Sequence, residues 1–191
     1  MPLKAVAELL GPPRYWAPVW ESSLLPLFWG YNHLELRFSE RAPHRLVWLK
    51  IHDASSIEGK SFALCNKLRL SMDSYLGTVK PSAFLQDDVW GTRKVLIDVQ
   101  LIAGDLQLHI DARPVQLLFN VAEDDVDDIH ALTEAFHRRD WHPIVAAFEQ
   151  VSRLRGVYCF SPAEWRDRRW RAPSIETDRR SYLAEIAHLS L

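Results

Sequence analysis

The segment WGYNHLELRF, residues 29–38, decides the fold of this chain. Apolar side chains occupy every second position from Leu34 to Phe38, with polar residues between them. This period of two predicts a β-strand with one buried and one solvent-facing side, because successive side chains of a strand point in opposite directions. The polar, proline-containing segment 39–44 predicts a turn, and the apolar segment 46–51 predicts the returning strand. Together these segments predict a β-hairpin.

A second hairpin is predicted in the middle of the chain. The sequence LQLHI at residues 106–110 repeats the apolar-polar order of the first strand. Residues 111–114 predict a turn, and residues 115–121 predict the returning strand. Residues 94–102 alternate in the same way and join this hairpin through a turn at 103–105, which predicts a three-stranded meander. The two hairpins are candidates for a duplicated unit.

Helical spacing replaces the strand period in the C-terminal third of the chain. Apolar residues within 126–136 recur every three or four positions, which predicts a helix. Further helices are predicted over 143–156 and 174–189, with 157–160 as a short strand or an extended link. The order Ser-x-x-Glu at 161–164 predicts one more helix start.

Four features are predicted in the first half of the chain outside the hairpin. Residues 3–10 have the spacing of a short helix that ends at Gly11, and residues 62–65 predict a short strand. Residues 68–76 predict a helix that stops at the following glycine. The segment 78–91 contains a proline and little periodicity, so we predict an internal seam there.

These elements predict an α+β fold. Antiparallel hairpins or a meander, in two sheets or in one continuous sheet, are followed by a helical layer. A chain of 191 residues fits a single domain, residues 1–191, and the seam defines candidate halves 1–77 and 92–191. An apolar content of 48% is sufficient for a hydrophobic core without disulfides or a metal.

Composition and charge narrow the classes of function. A net charge of −2 gives no overall attraction to nucleic acid or to an anionic membrane. Cys65 and Cys159 lie among apolar residues and predict buried free thiols in a reducing compartment. The N-terminal segment is too polar for a secretory signal, and no apolar run reaches membrane-spanning length, so we expect a cytoplasmic protein.

The segment LLGPP at residues 9–13, Trp16, and the segment 30–38 with its returning strand form a pattern at the start of the chain. This pattern resembles one found in small bacterial proteins, some of which are similar to immunity proteins that accompany secreted polymorphic toxins. The resemblance covers residues 5–51, and its motifs are structural. It implies a protein that binds and neutralises a partner protein, and it brings no catalytic residue.

The sequence contains no nucleophile elbow, phosphate-binding glycine loop or dinucleotide fingerprint. His130, His137 and His142 lack the four-residue spacing of a zinc-binding helix. His109 and Asp111 share a strand face and are a candidate general-base pair, but no nucleophile is evident beside them. The sequence therefore predicts a non-enzymatic protein without metal or cofactor. A small hydrolase built on His109 and Asp111 is a third hypothesis.

An acidic cluster stands at the start of the helix predicted over 126–136. Its members are Glu123, Asp124, Asp125, Asp127 and Asp128. One interpretation is a negative face for a basic partner protein, and the other is compensation of the helix dipole. The chain has eight tryptophans, and Trp16 and Trp20 are candidate aromatic anchors. The acidic cluster and these two tryptophans are the predicted partner-binding residues.

A segment rich in arginine and tryptophan lies near the C-terminus. It contains Trp165, Arg166, Arg168, Arg169, Trp170 and Arg171. Such a mixture can bind phosphates and stack on bases, whereas the other interpretation is a solvated helix face paired with the acidic cluster. The leading hypothesis is a non-catalytic, immunity-like protein that occludes a partner protein. Nucleic-acid binding through the Arg/Trp segment is the alternative.

Overall fold

A computed structural model describes residues 1–18, 25–52, 54, 61–65, 68–71, 79–87, 94–162 and 173–189. The first elements along the chain are α1 (Leu3–Leu10), β1 (Tyr15–Ala17), β2 (Phe28–Gly30), β3 (Leu34–Phe38), β4 (Leu46–His52), β5 (Ser61–Cys65), β6 (Leu68–Ser71) and α2 (Pro81–Gln86). They are followed by β7 (Leu96–Ile102), β8 (Asp105–Ala112), β9 (Val115–Val121), a 3-10 helix (Glu123–Asp125), α3 (Ile129–Arg138), α4 (Trp141–Gln150), β10 (Arg153–Phe160), β11 (Ser174–Asp178) and α5 (Arg179–Leu189).

Nine of these strands form one antiparallel sheet in the order β1-β2-β3-β4-β10-β9-β8-β7-β11, and β5 and β6 form a separate hairpin. The predicted hairpins are present as β3–β4 and β8–β9, and β7, β8 and β9 form the predicted meander. Strand β10 joins the two groups of strands because it pairs with β4 on one side and with β9 on the other. The α+β prediction is confirmed, with one continuous sheet.

The helices pack on one face of this sheet. The side chains at alternate positions of β7, β8 and β9 are fully buried there, as Ile97, Leu108 and Phe119 show. Phe84 of α2 contacts Phe119 edge-to-face with ring centroids 5.8 Å apart, and Phe148 of α4 belongs to the same core. Each side chain of this kind stabilises the fold by about 1.5–3 kcal/mol. The remaining positions of these strands lie on the opposite face.

One carboxylate ties three helices together. Glu149 of α4 accepts hydrogen bonds from the Ser82 backbone N–H at 3.0 Å, the Ser82 hydroxyl at 2.5 Å and the Tyr182 hydroxyl at 3.0 Å. Tyr182, on α5, is 1% exposed. Burial, followed by the charge of Glu149, raises the pKa of Tyr182 well above its ordinary value of 10.0. The phenol therefore stays protonated and keeps donating to the carboxylate.

Two helix predictions are wrong where a strand pairs with a neighbour. Residues 68–71 form β6, whereas the spacing predicts a helix over 68–76, and the rest of that segment lies outside the described residues. Residues 174–178 form β11, so the last helix begins only at Arg179. Ile175, which fits the predicted helix, instead pairs with Val99 across the edge of the sheet. Strand pairing overrides local apolar spacing in both places.

Other boundaries also differ from the predictions. Helix α3 begins at Ile129, and α4 ends at Gln150 rather than at Gly156. The residues after α4 start the long strand β10, which contains the predicted strand 157–160. Helix α2 lies in the segment predicted as a seam, because six residues are too few to display a helical period. The capping order at 161–164 falls largely outside the described residues.

The predictions from composition concerned the two cysteines and membrane-spanning segments. Cys159 is a free, half-buried thiol in β10. Cys65 lies in β5. No helix in the described ranges is both long and apolar enough to cross a membrane.

Candidate functional site

Five aromatic residues form a chain of ring contacts on the sheet face opposite the helices. They are Tyr15 of β1, Phe28 of β2, Trp48 of β4, and Tyr158 and Phe160 of β10, and we call them the aromatic ladder. Successive ring centroids are 6.1, 6.0, 5.9 and 5.6 Å apart, within the range of favourable aromatic contacts. Tyr15 is 44% exposed, and Phe28, Trp48 and Tyr158 are half-buried. The ladder therefore presents ring surface on this face.

Sequence reasoning missed the ladder because its rings come from four strands that are distant along the chain. Only the strand order places β10 beside β4, where Phe160 pairs with Trp48. A partial signal exists in the segment 46–51. If Leu49 and Ile51 face the core, then Trp48 must lie on the opposite face.

Arg37 of β3 lies in the middle of the ladder. It pairs with Phe28 on one side and with Trp48 on the other. The two flanking strands are about 10 Å apart, since each strand spacing is about 4.8 Å. The ring centroids of Phe28 and Trp48 are nevertheless only 6.0 Å apart, so the rings lean towards each other across β3. Arg37 is half-buried, and its guanidinium group forms no hydrogen bond or ion pair with any residue in the described part of the chain.

A second cation beside the ladder is already neutralised. Lys50 Nζ lies 3.5 Å from Glu35 Oε2 and 5.3 Å from the centroid of the Tyr158 ring. Glu35 Oε1 accepts a further hydrogen bond from the Tyr15 hydroxyl at 3.1 Å. Gly156 leaves space for the lysine, because a Cβ at that position would lie 3.2 Å from Lys50 Cε. Within this group of residues, the positive charge of Arg37 is the unbalanced one.

Trp16, one of the two predicted tryptophan anchors, does not belong to the ladder. Trp16 is 63% exposed in the edge strand β1, where it pairs with Trp29. Because its neighbour Tyr15 faces the ladder, Trp16 lies on the other face of the sheet. Trp20 is outside the described residues, as are the members of the Arg/Trp segment, Trp165, Arg166, Arg168, Arg169, Trp170 and Arg171.

The acidic cluster lies at the far end of the sheet from the ladder. It follows Val121, the last residue of β9. Tyr158 of the ladder pairs with Gln116, which is five positions earlier on the same strand. Five positions correspond to about 17 Å along a strand. The ladder and the acidic cluster are therefore not adjacent.

Part of the acidic cluster caps local helical turns. Asp125 Oδ2 accepts a hydrogen bond from the Ala122 backbone N–H at 3.1 Å. Asp128 Oδ1 accepts one from the Ala131 backbone N–H at 2.9 Å and begins α3. The remaining members, Glu123, Asp124 and Asp127, are exposed. Asp125 and Asp128 therefore fit the interpretation as local helix capping. The exposed members are still compatible with the interpretation as a negative face for a basic partner.

A buried polar group lies farther along the same sheet face, around His109. His109 is 3% exposed, and Asp98, which lies directly opposite it on β7, is 5% exposed. Asp98 Oδ2 accepts a hydrogen bond from Gln100 Nε2 at 2.5 Å. Burial raises the pKa of Asp98 above its ordinary value of 3.8 by more than the hydrogen bonds from Gln100 and Ser174 lower it.

This buried group does not have the order of a hydrolase triad. His109 and Asp111 share a face, as their spacing of two requires. Asp98 lies opposite His109 of β8, and the Ser174 side chain on the other neighbouring strand, β11, donates a hydrogen bond to it. The carboxylate therefore lies between the hydroxyl and the imidazole. A serine triad needs the imidazole in the middle. Sequence reasoning missed Asp98, although the alternation that places Ile97 in the core puts its neighbour on the opposite face.

The described residues contain no group of three or more His, Cys, Asp or Glu side chains that could hold a metal ion. His130 and His137 are exposed on α3. His142 Nδ1 lies 3.6 Å from Glu185 Oε2 on α5. These histidines are distributed over helix surfaces and do not converge.

An aliphatic cavity of about 230 Å³ lies between α1 and the β3–β4 hairpin, on the opposite side of the sheet from the ladder. It is lined by Met1, Val6, Leu9, Leu10, Leu34, Leu36, Leu46, Leu49 and Leu68. A wall without polar side chains gives neither directional recognition nor acid-base chemistry.

The chain was compared with protein families, curated proteins and solved structures. No family model, curated protein or solved structure matches the chain. Among the described residues, the ladder and Arg37 form the most distinctive surface.

Proposed function

We propose that the protein is a non-catalytic binding protein that occludes a partner protein, in the manner that the resemblance to immunity proteins implies. The aromatic ladder is the observation that carries this proposal. It runs from β1 to β10 across four strand spacings, which is about 19 Å. That length is suitable for the centre of a protein interface of ordinary size, which buries about 800 Å² on each partner.

The chemistry of the ladder is that of binding hot spots. Tryptophan, tyrosine and arginine dominate such sites, because they bury much area and still offer a polar group. Trp48, Tyr158 and Arg37 supply these three residue types within one patch. Occlusion of a partner needs only binding free energy, so no acid-base group or cofactor is required of the ladder.

The acidic cluster has a secondary role in this proposal. Its exposed members Glu123, Asp124 and Asp127 add a negative field that speeds encounter with a basic partner. Because the cluster is remote from the ladder, its effect is on the association rate, and salt screens it.

An affinity purification from the native host tests the proposal. The bait is the wild-type chain, the double variant Trp48→Ser/Tyr158→Ser, or the control Glu134→Gln on the exposed surface of α3, each checked for folding by circular dichroism. We expect a stoichiometric protein partner at physiological salt with the wild type and the control, and at least a tenfold lower yield with the ladder variant. Recovery of no stoichiometric protein, or equal recovery with the ladder variant, would overturn the proposal.

Nucleic-acid binding is the second candidate, because half-exposed rings beside Arg37 and Lys50 also resemble a base-stacking surface. It predicts binding of single-stranded oligonucleotides that weakens steeply as salt rises. Charge reversal at Arg168 and Arg169 should then abolish the binding. The neutralised Lys50 and the net charge of −2 favour the protein partner instead.

A further inference from the structure

Arg37 is a charged group that the described fold does not satisfy. Guanidinium has five N–H donors in a planar fork and carries a permanent charge. The Arg37 side chain is half-buried and projects from the strand between those of Phe28 and Trp48, and its guanidinium group finds no acceptor among the described residues. Partial removal of an unpaired cation from water disfavours the folded state. A methionine or leucine at this position would pack beside the rings without that cost.

We propose that Arg37 is the recognition site for a carboxylate, an Asp or Glu side chain flanked by apolar residues, on the partner protein. This inference rests on the proposed function and names the chemistry of its partner. The fork of Arg37 donates two parallel hydrogen bonds to the carboxylate, and the rings of Phe28 and Trp48 contact the flanking apolar residues. Binding then supplies an acceptor that the described residues do not provide.

The charges around Arg37 favour a single carboxylate over a nucleic-acid backbone. The neighbouring cation, Lys50, is occupied by Glu35 at 3.5 Å. A groove that follows a phosphate backbone presents a succession of cations, because each phosphate carries a charge. The ladder instead offers one unbalanced guanidinium among apolar rings, which is complementary to one anionic group in an apolar setting.

The probe is a displayed library of random peptides, selected on the wild-type chain and then measured as synthetic peptides by calorimetry. We expect the selected peptides to carry Asp or Glu beside an apolar residue. Arg37→Met should weaken their binding at least tenfold, and so should conversion of the peptide carboxylate to its amide. The two changes together should weaken binding no more than either alone, because both remove the same contact. Arg37→Lys should recover part of the affinity, since it keeps the charge but loses the fork.

Three outcomes would overturn the inference. Peptides that lose binding in Trp48→Ser but not in Arg37→Met would leave the proposed function intact and remove the role of Arg37. Failure to select any peptide that depends on Trp48 would overturn both proposals. Tighter binding of single-stranded oligonucleotides than of peptides, lost in Arg37→Met, would assign the site to phosphate.

A stability measurement separates recognition from a structural role. We expect Arg37→Met to keep or raise the thermal unfolding midpoint, because it removes a half-buried charge that has no partner among the described residues and retains the apolar stem. A lower midpoint would mean that the guanidinium stabilises the fold, and that result would also overturn the inference.

Discussion

At the scale of one residue, the burial of Asp98 changes its pKa and through it the pH dependence of stability. It is 5% exposed on the sheet face opposite the helices, and desolvation raises its pKa above the unfolded-state value of 3.8. Between these two pKa values the folded protein binds more protons than the unfolded chain, so stability falls as pH rises through that window. The buried carboxyl therefore leaves the fold less stable at neutral pH than at acid pH.

We expect Asp98→Asn to raise the unfolding midpoint at pH 7, because it removes the buried charge and keeps an oxygen that can accept from Gln100. The gain should shrink as pH falls and should be smallest well below 3.8, where the carboxyl of the wild type is neutral in both the folded and the unfolded state. Thermal unfolding followed by circular dichroism across this pH range measures both effects.

The matched control is Glu176→Gln, on the neighbouring strand β11. Its exposed carboxylate also raises the pKa of Asp98, so the variant should give a smaller gain of the same sign. A less stable Asp98→Asn protein at pH 7 would show that the carboxylate instead stabilises the fold.

At the scale of elements, α2, α4 and α5 are held together by the Glu149 carboxylate and its donors on Ser82 and Tyr182. Helix α2 has only six residues, too few for a stable isolated helix. Its position thus depends on these hydrogen bonds and on the packing of Phe84.

Tyr182→Phe should lower the free energy of unfolding by about 1–3 kcal/mol, since it removes one hydrogen bond to a charged acceptor. Glu149→Ala should cost more, because three donors lose their acceptor. Urea denaturation of both single variants and the double variant measures the coupling, and the double variant should cost less than the sum of the two single variants. If the two single variants cost equal free energies of unfolding and the double variant costs their sum, the hydrogen bond between Tyr182 and Glu149 contributes little to stability.

At the scale of the whole molecule, β10 makes the sheet continuous. It pairs with β4 from the first half of the chain and with β9 from the second half. Without β4, its Val157 and Cys159 would lie at an open edge of the sheet. We therefore expect one cooperative unfolding transition, in which tryptophan fluorescence and far-ultraviolet circular dichroism change together.

Expression of residues 92–191 alone provides the complementary measurement. We expect this fragment to be unfolded or aggregated, because it exposes one edge of β10 and part of the core. A soluble fragment with a sharp thermal transition of its own would show that the two halves are independent domains.

The hairpins could be predicted because their information is local. The alternation of apolar and polar residues in 34–38 and 106–110 indicates which side chains face the core. The turns that join the paired strands are short. The sequence predicted that helices follow β9 but not where they end. Leu154, for example, fits the end of a helix as well as the strand β10 in which it lies.

The amino-acid sequence by itself thus determined the hairpins β3–β4 and β8–β9 and the α+β class of the fold. Only the tertiary structure decided that β10 enters the sheet between β4 and β9, that residues 174–178 pair with β7, and that Phe28, Arg37, Trp48 and Tyr158 meet on one face. The physical reason is that alternation fixes the face of a side chain locally. Strand order, in contrast, depends on backbone hydrogen bonds and core contacts between segments far apart in the chain.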